Sequence, residues 1–281
     1  MKVKELVQYG EAVLKEAGIE TYKSDVKVLI TYVLNVLYSD YFMCLDKEAT
    51  EEQNKLFQNV INKRKTLYPC QYITNSQEFM GLEFYVSEGV LIPRPETELL
   101  VEEAIKQSFD KSMRVLDLCC GSGCIGISYS ILRKQKGYDD KVVLGDISPV
   151  AIEISTRNNN TYDAACDIVQ TDLFSNISGR FNMIISNPPY IETEEIDKLM
   201  EDVKCFEPRL ALDGLEDGLF FYREIISKAK NYFEDSGCLI FEIGYNQYEA
   251  VKALFEREGY HDIKLIKDYA GLDRIVLARY S

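Results

Sequence analysis

Histidine is nearly missing from this chain: His261 is the only one among 281 residues. With so little imidazole, Ser-His catalysis and His-zinc chemistry are poorly supported. His261 itself stands just before a C-terminal apolar strand, where a surface or strand-end residue is expected. Paired C-x-x-C metal ligands are missing as well. The eight cysteines include a cluster, Cys119, Cys120 and Cys124, but a radical iron–sulfur site would need a further cysteine at Ile127. The cluster therefore reads as small buried packing residues. Basic stretches are scarce: 32 Lys and Arg against 46 Asp and Glu leave a net charge of −14. That balance argues against a broad phosphate-binding surface, although a local basic groove would be compatible with it. No apolar run approaches membrane-spanning length, and the opening residues Met1 to Glu11 lack a signal-peptide core. The expectation is a cytoplasmic chain with reduced thiols and no metal. There are no repeats and no low-complexity segments.

What is present is ordinary globular material, 46% hydrophobic, enough for one large domain and a small one. Residues 1–72 read as helices. Val26, Leu29, Ile30, Val33, Leu34 and Leu37 recur at helical spacing behind a Ser24-Asp25 cap. Thr50-Glu51-Glu52-Gln53 fits a capping box that opens a second helix with Leu56, Phe57, Val60 and Ile61 on one face, and Pro69 marks its end. Residues 73–95 carry two β-type runs around Gly81 and Gly89, a hairpin or extended connector. Residues 96–281 form the large domain. From Met113 onward, candidate strands (MRVLDL, KVVLGD, CDIVQ, FNMIIS, GCLIFEIG, IKLIKD, RIVLARY) alternate with helical segments. This is the pattern of an α/β fold with a mostly parallel sheet covered by helices. The last two strands are joined by too short a turn for a parallel crossover, so they are expected to pair antiparallel.

The first of these strands runs into Cys119-Cys120-Gly121-Ser122-Gly123-Cys124-Ile125-Gly126, a G-x-G-x-x-G between strand and helix. Asp146 ends the next strand at the spacing of a ribose-binding acid. Taken alone, this is a dinucleotide fingerprint. Two features favour S-adenosylmethionine over NAD. Asp117, read as lying at the mouth of the loop, would oppose a pyrophosphate but suit an ammonium group, and the histidine of a hydride site is missing. Asp172, after the third strand, falls where an adenine amine could be read. The expected cofactor residues are Asp117, Cys119, Cys120, Gly121, Ser122, Gly123, Asp146, Asp172, Leu173 and Asn187.

Asn187-Pro188-Pro189-Tyr190 is the most informative stretch. It follows the apolar run Phe181 to Ser186, and two prolines stop that strand abruptly because neither can donate a ladder hydrogen bond. Asn187 is thereby held at a strand's carboxyl end, where open α/β sheets keep their ligands. Its amide oxygen and the carbonyl of Pro188 can accept two protons from a planar N–H2 group, a carboxamide or the exocyclic amine of adenine. Pro189 stiffens the turn, and Tyr190 is expected to pack on that plane.

Together these residues resemble the peptide chain release factor N5-glutamine methyltransferases, the HemK/PrmC family. The resemblance rests on Leu91-Ile92-Pro93-Arg94-Pro95-Glu96-Thr97-Glu98, the loop from Asp117 to Gly123, Asn187 to Ile191, Phe206-Glu207-Pro208 and residues 212–219. It implies a class I, Rossmann-like methyltransferase domain with a seven-stranded sheet behind a helical substrate-recognition domain. The implied reaction takes a methyl group from S-adenosylmethionine to the glutamine of the Gly-Gly-Gln loop in class 1 release factors, at translation termination. No direct nucleic-acid partner and no membrane are expected from the charge and the short apolar runs, and a monomer is expected. An adenine-N6 nucleic-acid methyltransferase would use the same NPPY grip, and an NAD-dependent oxidoreductase or a non-catalytic ribosome-associated protein would be rivals from other classes. Two departures stand out: Cys119-Cys120 replaces the usual Gly-Thr, and Leu215 stands where glycine is common. Arg94 is open to either of two roles, substrate contact or a structural ion pair joining the domains.

Overall fold

Seven of the apolar runs pair into one sheet in the structure, a computed structural model that describes residues 1–281. A short hairpin precedes the sheet, with β1 (Gln77–Phe79) and β2 (Leu82–Phe84) around Gly81; the second run, around Gly89, forms no strand. The sheet strands are β3 (Arg114–Leu118), β4 (Lys141–Asp146), β5 (Asp167–Gln170), β6 (Phe181–Ser186), β7 (Phe233–Glu242), β8 (His261–Lys267) and β9 (Asp273–Tyr280). Their spatial order is β5-β4-β3-β6-β7-β9-β8. The first five in that order are parallel to one another, while β9 runs antiparallel to both β7 and β8.

The central strands are buried almost throughout, and successive side chains enter cores on opposite faces of the sheet. Val115, Met183, Ile185 and Ile240 enter one apolar core, and Leu116, Leu118, Ile184 and Leu239 enter the other. The chain leaves β3 to build β4 and β5 on one side, then returns to build β6 on the other. That reversal opens a crevice at the carboxyl ends of β3 and β6. The register fixes what faces it. Leu118 pairs with both Gly145 and Ser186, so Cys119, Asp146 and Asn187 follow at one level.

Contacts divide the chain into two units, residues 1–76 with 200–206, and residues 77–199 with 207–281. The first unit is helical, and Thr50 and Gln53 form the expected reciprocal capping box. Three local readings need correction. The second helix starts at Tyr22, before Ser24-Asp25, and Asp25 instead pairs with the buried Arg64 at 2.8 Å. The helix that opens at Glu51 ends at Arg64, and Pro69 precedes a further short helix, Cys70–Thr74. Leu37 and Leu56 point outward, 70% and 40% exposed, although both fit the apolar period. No helix is long and apolar enough to cross a membrane.

Candidate active site

The loop after β3 is built around two carboxyl groups and two glycines. Gly126, in the first turn of the helix Cys124–Gln135, donates its N–H to Asp117 Oδ2 at 2.9 Å. A Cβ at Gly126 would lie 2.3 Å from Leu144 Cδ2, so the helix can approach the sheet only without a side chain there. Gly121 has φ +54 and open space on its Cβ side, and its N–H donates to Asp146 Oδ2 at 2.9 Å. Cys119 keeps a left-handed φ of 60 despite its side chain, and Leu215 does the same at 67. The two departures from the family's glycines therefore keep a glycine-like backbone.

A cavity of about 300 Å3 opens at the carboxyl ends of the strands. Cys119, Gly121, Asp146, Asp172, Leu173, Asn187 and Pro189 all line it, with Ile147, Phe220 and Phe221 among its apolar walls. Asp146 is oriented by Gly121 N–H on one oxygen and by Ser148 N–H, at 2.9 Å, on the other. Burial raises its pKa against those two donors. Each oxygen retains a further lone pair for a ligand hydroxyl.

Several expected site residues lie behind this wall. Asp117 is not at the mouth of the loop; it is fully buried because strand alternation puts it on the face of β3 that the helix Cys124–Gln135 covers. Its Oδ1 has no hydrogen-bond partner, and burial pushes its pKa up to about 8. Cys120 packs into the core. Ser122 is buried, and its carbonyl is held by Asn158 Nδ2 at 2.9 Å. Gly123, at φ +79, starts the helix. Of the three clustered cysteines, Cys120 and Cys124 are packing residues as read, whereas Cys119 reaches the cavity. All eight cysteines are free thiols, and no cluster of His, Cys, Asp or Glu is arranged for a metal ion.

At the end of β6, Asn187 and Pro189 face the cavity, while Pro188 is buried. Tyr190 does not line the cavity. Its hydroxyl is directed at Glu242 Oε1, 3.4 Å away, so its ring is committed to the protein and does not lie over a ligand. Glu242, at the end of β7, is 2% exposed and accepts from Thr97 Oγ1 at 2.6 Å. Thr97 in turn meets Asn187 Nδ2 at 3.5 Å. Sequence reasoning missed Thr97 and Glu242; the available signals were a threonine inside the Leu91–Glu98 motif and an acid ending a buried strand. Arg94 forms an ion pair with Glu207, and Glu207 also accepts from Ile92 N–H at 3.1 Å. Arg94 is therefore held in an ion pair, but one within the sheet unit and not one that joins the domains. His261 is exposed at the start of β8, and its ring contacts Ser281 Oγ at 3.1 Å.

Comparison with known proteins adds to this geometry. A family model for the PrmC N-terminal domain matches residues 5–74, and one for the methyltransferase small domain matches residues 95–204. The chain is 41% identical to a release factor glutamine methyltransferase of Clostridium acetobutylicum, covering 99% of this chain and 98% of that one. Proteins of the same name from Clostridium botulinum and Geobacter sulfurreducens are 37% and 36% identical, each over 99% of this chain and over 99% and 96% of their own lengths. Among solved structures, the T. Thermophilus 16S rRNA N2 G1207 methyltransferase, in complex with AdoMet and guanosine, superposes with a TM-score of 0.52 at 15% identity. It covers 73% of this chain and 50% of the other. At that identity the likeness shows the fold alone.

Proposed function

The chain belongs to the release factor glutamine methyltransferase family, and we propose that its sheet unit transfers a methyl group from S-adenosylmethionine to the glutamine side-chain nitrogen of the Gly-Gly-Gln loop in class 1 release factors. The observation that carries this reading is one cavity lined by Gly121, Asp146, Asp172 and Asn187 together. The groups present fit the cofactor. Asp146 offers acceptor capacity for a ribose diol, Gly121 leaves open space, and the apolar side chains of Ile147 and Leu173 suit a flat base.

When bound, S-adenosylmethionine supplies a methyl group already activated on a sulfonium. The protein's task is to make a poor nucleophile competent, because an amide nitrogen delocalises its lone pair into the carbonyl. Asn187 Oδ1 and the carbonyl of Pro188 accept the two amide protons, fix the plane of the carboxamide and stabilise the positive charge that builds on nitrogen. The proton can leave to water after transfer, so the site needs no dedicated general base.

A glutamine side chain offers too little surface for specificity, and we assign the remaining recognition to the helical unit. That unit carries Leu37, Phe42 and Met43, each more than two-thirds exposed. Net charge of −14 favours a protein substrate over nucleic acid. The reading also takes the protein to be a cytoplasmic monomer. Incubating the protein with labelled S-adenosylmethionine and either release factor or DNA tests the assignment: label in the release factor is expected, and label in DNA alone would overturn it.

A further inference from the structure

The side chain assigned to the substrate amide is itself held by residues from two other parts of the sheet unit. Thr97 is 3% exposed, and its hydroxyl carries a single proton. That proton goes to Glu242 Oε2 across 2.6 Å. The other carboxylate oxygen accepts from Tyr190, and Arg274 adds positive charge nearby; these groups oppose the burial that raises the pKa of Glu242. Both oxygens of Glu242 are thus set to accept, Oε2 from Thr97 and Oε1 from Tyr190. Thr97 Oγ1 can therefore only accept from its remaining neighbour, and that neighbour is Asn187 Nδ2 at 3.5 Å.

We propose that Thr97, fixed by Glu242, is a positioning residue that sets the direction of the Asn187 carboxamide. The contact from Asn187 is long, so its own strength is small. Its effect lies in what it forbids. A flipped amide would set Oδ1 against the lone pairs of Thr97 and turn Nδ2 into the cavity, presenting a donor to the donors of the incoming glutamine. With the amide in the observed sense, Nδ2 is occupied by the protein and Oδ1 is the end left for substrate. The relay runs Asn187 to Thr97 to Glu242, and it gives a role to the threonine of the Leu91–Glu98 motif.

This inference rests on Asn187 being the substrate acceptor, and the experiment separates the two. Wild-type labelling of release factor tests the function; variants compared with wild type test the relay. Thr97→Val should lower kcat by about 10-fold, the scale of a lost positioning contact, with KM for release factor and the cofactor dissociation constant by calorimetry changed less than about 3-fold. Thr97→Ser should restore kcat. In an Asn187→Ala background Thr97→Val should have almost no further effect, because a residue that acts through another loses its influence when the other is gone. A kcat loss of the same size in both backgrounds, a loss confined to KM, or failure of serine to rescue would overturn the proposal. If Thr97→Val does not fold, the wild-type protein decides. The Asn187 side-chain 15N–H2 pair, assigned by its loss in Asn187→Ala, should show one proton shifted and slowed in exchange. A pair with free-amide shifts and exchange would overturn the relay.

Discussion

Replacing Asp117 by asparagine should change how stability depends on pH more than it changes stability itself. Asp117 is fully buried, and its carboxyl is raised from the ordinary 3.8 to about 8, mainly by that burial, against the single N–H from Gly126. The sign follows from linkage. Below the unfolded pKa the group is protonated in both states and folding pays nothing for it. As pH rises the unfolded chain ionises while the folded one holds its proton, so stability falls until about pH 8. Each pH unit in that window costs about 1.4 kcal/mol, which gives roughly 4 kcal/mol by neutral pH. Asp117→Asn removes the titration but places an amide N–H2 where Oδ1 has no partner, a cost of about 1–3 kcal/mol. The variant should therefore be less stable than wild type near pH 4 and more stable near pH 7.5, with the two curves crossing between. At roughly 2–4 °C per kcal/mol, thermal unfolding without cofactor at half-unit pH steps resolves this. Parallel curves would show that Asp117 titrates alike in the folded and unfolded chain, and the reasoning from its burial would fail.

Asp146→Ala should weaken S-adenosylmethionine binding by roughly 1.5–3 kcal/mol, about 10- to 150-fold, and unchanged affinity by calorimetry in a folded variant would remove Asp146 from the cofactor site. Asn187→Ala should leave cofactor affinity within a few fold while methyl transfer to release factor falls by about 10²–10³; near-normal turnover would place the grip elsewhere. Leu215→Gly should raise stability by about 0.5–1 kcal/mol, because the left-handed backbone costs a side chain roughly 1–2 kcal/mol and glycine's extra unfolded-state entropy takes back only part of that. A lower melting temperature would count against strain at φ 67. The double variant Phe42→Ser, Met43→Ser should raise KM for release factor several-fold and leave cofactor binding alone, since both side chains lie exposed on the helical unit; an unchanged KM would move recognition off that surface.

The sheet was legible because its signals are local. Phe181 to Ser186 is an apolar run stopped by two prolines, and the strand ends there in the structure. The five-residue link between β8 and β9 could only support an antiparallel pair, as observed. Helical period alone misjudged Leu37 and Leu56, since it marks a side chain as apolar in position without saying whether a partner covers it. Asp117 was misplaced because its nearness to the loop was weighed and the alternation of its own strand, MRVLDL, was not; within β3 that alternation sends its carboxyl under the next helix. The departures at Cys119 and Leu215 could be seen as missing glycines, but their positive φ could not, because a backbone angle leaves no mark once the glycine is gone. The hydrogen bonds that orient the site are different in kind. Thr97 lies 90 residues from Asn187 and 145 from Glu242, and nothing in a threonine, an asparagine or a glutamate says which distant side chain will meet it. What a single sequence can state is the chemistry each end offers: one hydroxyl proton, one carboxylate, one amide with two unlike faces. Once the fold brings those three together, the direction of the amide follows from counting protons.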